Sequence, residues 1–356
     1  PGTTTCRSID GILVDTGSTG LRILASALPD LPSMNSGGNP VSECVQFPDQ
    51  SYLWGNVVTA DVRIAGEVAR SLPLHSIGTQ NGSSVPSDCS QNGAGVNAGT
   101  QFALGANGVL GVGYDPQDCG AACDPSAGGT PPSPAYYSCS AGSCNPTLVS
   151  IAHQVTNPIV TFLKDNNGLV LQFPGLDGAS TKLDGTMTFG IGTQVNNQLG
   201  SATVFTIDSN HNFTTNLSST AQSLTASGVN SGSSALFFPD DNLPQCGTAK
   251  RYFCPASSTS LASLQIGVNG AAGTINFVVE NAEDLFNNNP GAAAFSALAG
   301  PNGTGDCAGG TGACRFEWGL PFFYGRTVFT AISGQTVPEG APPSPWFAYT
   351  TGFAKK

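Results

Sequence analysis

Asp15-Thr16-Gly17-Ser18-Thr19 leaves directly from the apolar run Ile12-Leu13-Val14. A carboxylate on a tight turn after a buried strand is held rigidly; Gly17 lets the backbone fold back, and the hydroxyls of Thr16 and Ser18 lie near the acid. An acid so placed can take a proton from water or give one to a carbonyl. The frame returns far downstream as Asn230-Ser231-Gly232-Ser233-Ser234, entered from Val229 and followed by Ala235-Leu236-Phe237-Phe238, with an amide where the first copy has an acid. Two close carboxylates cannot both ionise, so such a pair divides into an acid and a base. An amide can hydrogen-bond the acid or a water, but it carries no exchangeable proton. Asp-Thr-Gly and Asn-Ser-Gly are each ordinary turn sequences; their recurrence in matched contexts is what points to a site.

Other chemistries find little support. His75, His153 and His211 are scattered with no H-x-x-H or H-E pattern, so neither a metal nor any other cofactor is expected. Ser231 beside Gly232 lacks the G-x-S-x-G frame and an assignable histidine that a serine nucleophile needs. Only 10% of residues are charged and the net charge is −11, which disfavours nucleic acid and anionic membranes as partners. No apolar run is long enough to span a bilayer, and the chain reads as a mature or trimmed monomer. Eleven cysteines point to an oxidising compartment, hence a secreted, periplasmic or cell-surface protein. The close pairs Cys119/Cys123, Cys139/Cys144, Cys246/Cys254 and Cys307/Cys314 are expected to be disulfides. A zinc site made by the first two is the alternative, although their spacing is looser than a CxxC knuckle. The odd count leaves Cys6 as the expected orphan, with a partner upstream.

The elements that must position these loops are strands. With 46 glycines and 25 prolines among 356 residues, turns are frequent and long helices scarce. Residues 57–64 and 107–113 read as strands, the second apolar and bracketed by glycines. Residues 115–146 form a Cys/Pro/Gly-rich insert expected to be a stapled surface loop. Residues 148–164 have helical spacing in places, interrupted by Pro158; 283–286 and 292–298 are candidate short helices. Residues 169–173 and 186–190 read as paired strands, 205–224 as a hairpin, and 327–332 as a late core strand after the aromatic run 316–324. The order is that of two β-rich halves, each with the turn motif early and an apolar-Gly strand late.

With these features in place the chain resembles the pepsin-like aspartic peptidases, over nearly its whole length. DTGST at Asp15–Thr19 matches that family's first active-site loop, and NSGSS at Asn230–Ser234 matches the second apart from its first residue. Gly108-Val109-Leu110-Gly111 is similar to the strand that threads behind the first loop, and Trp318-Gly319 with Phe322 to its counterpart. DTGST followed by GLPFFYGR also resembles a group of secreted bacterial pepsin-like proteins of unassigned function. The resemblance implies an all-β, bilobal double β-barrel with a central cleft, its lobes at 1–190 and 191–356. It implies a protein or peptide substrate and a metal-free mechanism through Asp15 and position 230. Thr16, Ser18, Ser231 and Ser233 then take the hydroxyl positions that brace the loops. Asn230 is read as an engineered, inactive Asp→Asn form or as a natural one; a non-catalytic binding protein on the same fold is the rival function. The flap corresponds to residues 44–54, with Phe47, Tyr52 and Trp54 as candidate covers in place of the family's tyrosine. Arg22 replaces the usual tryptophan; it would either stack or bind an acidic substrate group, or be tied to a local carboxylate.

Overall fold

The computed structural model describes residues 6–78, 84–140, 142–302 and 315–351. It is mostly β, with 40% of residues in strands and 11% in helix. The chain divides into two compact units, residues 1–164 and 165–356. The strands Gly168–Gln172 and Thr186–Phe189 pair as expected, and the first also pairs with Arg326–Ala331, so both belong to the second unit's sheet.

In the first unit, one large sheet runs from Ile12–Asp15 through Gly108–Val112, Thr19–Leu24, Glu67–Ile77, Ser51–Ile64 and Asn39–Gln46 to the hairpin Tyr136–Ser140/Ser143–Pro146. The central strand Gly108–Val112 is buried along its whole length, parallel to Ile12–Asp15 and antiparallel to Thr19–Leu24. That explains its unbroken apolar reading, since a strand covered on both faces has no need to alternate. The insert 115–146 is only partly the surface loop expected. Its residues 136–138 pair with Asn39–Gln46, and Tyr136 and Tyr137 are fully buried on opposite faces of the sheet. Two aromatics in succession serve both faces of a short strand, which leaves no alternation to read.

The second unit has a five-stranded sheet, which includes Thr203–Thr206 and Trp346–Thr351, and a seven-stranded sheet. In the latter, Glu317–Trp318 lies parallel to the end of Gln222–Val229 and antiparallel to Leu236–Phe237. This repeats the first unit's arrangement around Gly108–Val112. An aromatic stack fills the core behind it: the rings of Phe316 and Trp318 are 4.0 Å apart and those of Phe238 and Phe316 4.8 Å.

Helix is scarcer than the spacing predicts. Residues 148–164 hold two 3-10 turns, Ile151–His153 and Pro158–Thr161, because Pro158 cannot continue a helix. Residues 292–298 are not helical; Ala294–Phe295 pairs with Ala179–Ser180. Ala282–Asn288 is an α-helix, capped by the Asn281 side chain and carrying Glu283 and Asp284 in its first turn, where acids suit the helix dipole. Cys119–Cys123, Cys139–Cys144 and Cys246–Cys254 are disulfides, so no zinc is held by the first two pairs. A bond the spacing did not suggest joins Cys44 to Cys89. Cys6 is free and exposed; Cys307 and Cys314 lie outside the described residues. No helix among the described residues is long and apolar enough to cross a membrane.

Candidate functional site

The strand Ile12–Asp15 delivers Asp15 into the first loop with only 6% of its surface exposed. Gly17 N–H donates to Asp15 Oδ1 at 2.8 Å and the Ser18 hydroxyl to Oδ2 at 2.5 Å. Both carboxylate oxygens are therefore oriented. Asp15 stands opposite Gly111 in the parallel ladder, where a Cβ would meet the Gly20 carbonyl at 2.8 Å. Only glycine lets the supporting strand come this close. Thr16, on the same turn, is buried.

The second loop is built on the same frame. Asn230 N–H donates to the Trp318 carbonyl at 2.9 Å, and Gly232 N–H to Asn230 Oδ1 at 2.8 Å, the counterpart of the Gly17 bond. Leu320 N–H donates to the Ser233 carbonyl, and Gly319 presses so close that a Cβ would lie 2.1 Å from the Ala235 carbonyl. Ser231 is buried as Thr16 is. The other end of the side chain differs. Asp15 Oδ2 receives a hydroxyl, whereas Asn230 Nδ2 donates to Glu317 Oε1 at 3.0 Å. Glu317 did not stand out in the sequence. The signal was there, because the late strands align as Gly108-Val109-Leu110-Gly111 and Phe316-Glu317-Trp318-Gly319, an acid in an apolar slot.

Next to the first loop's strand lies a largely buried charged network. Arg22 Nη2 is 2.7 Å from Glu43 Oε1 and 3.2 Å from Asp118 Oδ2, and His75 Nδ1 is 2.9 Å from Glu43 Oε2. The Tyr136 hydroxyl donates to Asp118 at 2.6 Å. Burial opposes ionisation of Glu43, but Arg22 and His75 outweigh it and hold its carboxyl well below the usual range. Burial and the Glu43 charge push Asp118 well above its ordinary value. One acid is thus ionised against Arg22 while the other keeps its proton. Glu43 went unremarked, and His75 was read only as one of three scattered histidines. Glu43 shares its strand face with Val41 and Val45, a charge on an apolar stripe.

Residues 1–349 match the family described as "Protein of unknown function (DUF3443)". The chain belongs to this family. No curated protein matches the DUF3443 chain. Among solved structures, the aspartic proteinase of Irpex lacteus is similar over 96% of this chain and 89% of its own, with a TM-score of 0.52 and 16% identity. Likeness at that identity is one of fold: the DUF3443 chain has a pepsin-like, two-lobe β fold.

The remaining expected site residues divide by place. Arg22 is 2% exposed and tied to carboxylates, the local alternative of the two weighed for it. Residues 44–54 do form a hairpin end, its turn closed by Gln50 N–H to the Phe47 carbonyl. Tyr52 and Trp54 are buried in a cluster with Tyr137 and the Cys44–Cys89 disulfide, which gives them a packing role in the DUF3443 chain, while Phe47 at the turn is half-buried. Cys246, Cys254 and Glu283 come together, but the sulfurs are bonded to each other and Glu283 accepts two backbone N–H bonds, so they do not form a metal-ligand set.

Proposed function

We propose that the DUF3443 chain carries the aspartic-peptidase site with one acid retained, and that it binds extended polypeptide without hydrolysing it. Asp15 is the acid–base group; Thr16, Gly17 and Ser18 orient it, and Asn230, with Ser231, Gly232 and Ser233, forms the matching loop of the second unit. The observation that carries this reading is the repeated frame: the glycine N–H at 2.8 Å orients an acid in one loop and an amide in the other. Hydrolysis by this route needs one carboxyl group to activate water while another protonates the carbonyl. Asn230 offers a hydrogen bond to a bound peptide but no proton. The parent chemistry is endopeptidase cleavage at acid pH, which a second acid would confer. The disulfides and low charge suit a secreted or periplasmic protein exposed to acid.

The test is a peptide-library cleavage assay between about pH 3 and 7, with a statine-type peptide as the binding probe. The chain as written should bind the probe and leave the library intact, and Asn230→Asp should gain acid-optimal cleavage that the probe inhibits. Cleavage by the chain as written that survives Asp15→Asn would overturn the reading. So would failure of the chain to bind the probe at any pH.

A further inference from the structure

Asn230 is held at both ends of its amide. Oδ1 accepts from Gly232 N–H at 2.8 Å and Nδ2 donates to Glu317 Oε1 at 3.0 Å. Reversing the amide would set NH₂ against N–H and oxygen against a carboxylate, so the two bonds fix its orientation. Glu317 reaches residue 230 because of its register. It stands opposite Gly228, one step before Val229 meets Trp318; the equivalent pair in the first unit is Leu13 and Val109. Gly228 carries no side chain, and a Cβ there would make one ordinary contact, with Arg315 Nη2 at 3.5 Å. The second carboxylate oxygen of Glu317 lies 3.4 Å from Arg315 Nε. Two apolar residues of the first unit have thus become a glycine and an acid, and an arginine stands beside them. The acid suits an amide at 230 that must give away an N–H, and the arginine lies beside the acid's other oxygen.

We propose that Glu317 is a positioning residue that holds residue 230 as an oriented amide, so that this loop is built for asparagine and the one-acid site is native. The inference rests on the site reading given under the proposed function. In its terms, Asn230 presents a carbonyl oxygen where an aspartate would present a carboxylate oxygen, and Glu317 takes the place that the Ser18 hydroxyl has beside Asp15. An acid at 230 would put its outer oxygen about 3 Å from Glu317, and two carboxylates that close must share a proton.

The experiment compares the parent with Asn230→Asp, Glu317→Val and the double variant Asn230→Asp/Glu317→Val, which rebuilds the first loop's surroundings. Thermal stability is measured between about pH 3 and 8, with library cleavage over the same range. The folded Asn230→Asp variant would keep a proton that the unfolded chain gives up. Its stability should therefore match the parent's at the acid end and fall below it as pH rises, and the double variant should regain the parent's profile. Cleavage by the single variant should fade at least roughly tenfold more than that of the double variant from about pH 4 to 6. Should valine prevent folding, Glu317→Gln replaces it, since glutamine removes the charge and keeps the shape. Parallel stability profiles for the parent and Asn230→Asp would overturn the inference, as would measurable and equal cleavage by single and double variants at every pH. The expected stability profiles with no cleavage by any variant would uphold Glu317's role and refute the peptidase reading.

Discussion

Asp118→Asn should leave the first unit's stability nearly unchanged at acid pH and raise it as pH climbs. Asp118 lies against Glu43, Arg22 and Tyr136 with 12% of its side chain exposed, and burial with the Glu43 charge raises its pKa well above the ordinary value. The folded state therefore retains a proton that an unfolded aspartate releases near about pH 3.9. With more protons bound folded than unfolded, stability is full below that pH and drops as pH rises through the folded pKa, by about 1.4 kcal/mol per pH unit. Asparagine has no such slope; its oxygen can accept from Tyr136 and its amide can donate to Glu43, as the protonated acid does. The Oδ2 acceptor that Arg22 loses is a cost independent of pH, so the gain is read relative to the acid end. The gain should be about 1.4 kcal/mol at pH 5 and roughly twice that at pH 6, for as long as Asp118 holds its proton. For a unit of this size that corresponds to about 3–6 °C in Tm at pH 5. Calorimetry of parent and variant in steps of about half a pH unit reads the difference. Parallel curves, or a variant that loses stability relative to the parent as pH rises from the acid end, would show that Asp118 is ionised in the fold and refute the reasoning.

Arg22→Met should cost about 3–5 kcal/mol in denaturant unfolding, since it strands the Glu43 carboxylate in the interior, and Arg22→Lys should restore only part because one ammonium cannot replace the guanidinium fork. Replacing both Cys44 and Cys89 by alanine should cost about 4 kcal/mol, because that bond spans a separation of 45 residues, against about 2 kcal/mol for Cys119 and Cys123, which are 4 apart. Equal losses in the two double variants would rule out loop length as the cause. Gly319→Ala should destabilise the second unit by at least about 1–3 kcal/mol, its methyl falling 2.1 Å from a backbone carbonyl, and should alter hydrogen exchange in residues 230–236 first. Full stability in that variant would mean that the supporting strand does not pin the loop.

The frame of each loop was legible because it is local. Gly17, Ser18 and Gly232 lie within three residues of the side chains they orient, and the apolar strands behind them announce themselves by composition. The pairing of residues 168–172 with 186–189 was legible for the same reason. Features joined across long stretches of chain were not. Cys44 meets Cys89 through the fold of the sheet, and Asp118 reaches Arg22 across 96 residues. Tyr136 and Tyr137 sat in a segment whose prolines, glycines and cysteines read as loop, although two neighbouring aromatics can anchor a strand by burying one ring on each face. Arg22 shows the limit most plainly. Its sequence position suggested contact with substrate or with a local acid, and only the placement of Glu43, on the apolar face of its strand, decides between them.

Position 230 reverses the usual relation between motif and context. Read as a motif, an amide in an acid's place is a defect in a hydrolytic site, and an engineered change explains it. Read with its neighbours, the amide is the residue that fits. Glu317 needs a donor, and Arg315 lies beside its other oxygen. An aspartate would need a donor there, as Asp15 finds in Ser18. A lone substitution in a two-acid enzyme would leave its surroundings shaped for the acid and the amide N–H in want of an acceptor. Here the acceptor is in place, 87 residues along the chain, and it is the wrong partner for an ionised acid. Residue 230 and Glu317 should therefore be read together: changing one alone creates either two facing carboxylates or an amide N–H that has lost its acceptor, and only a change in both avoids these two mismatches.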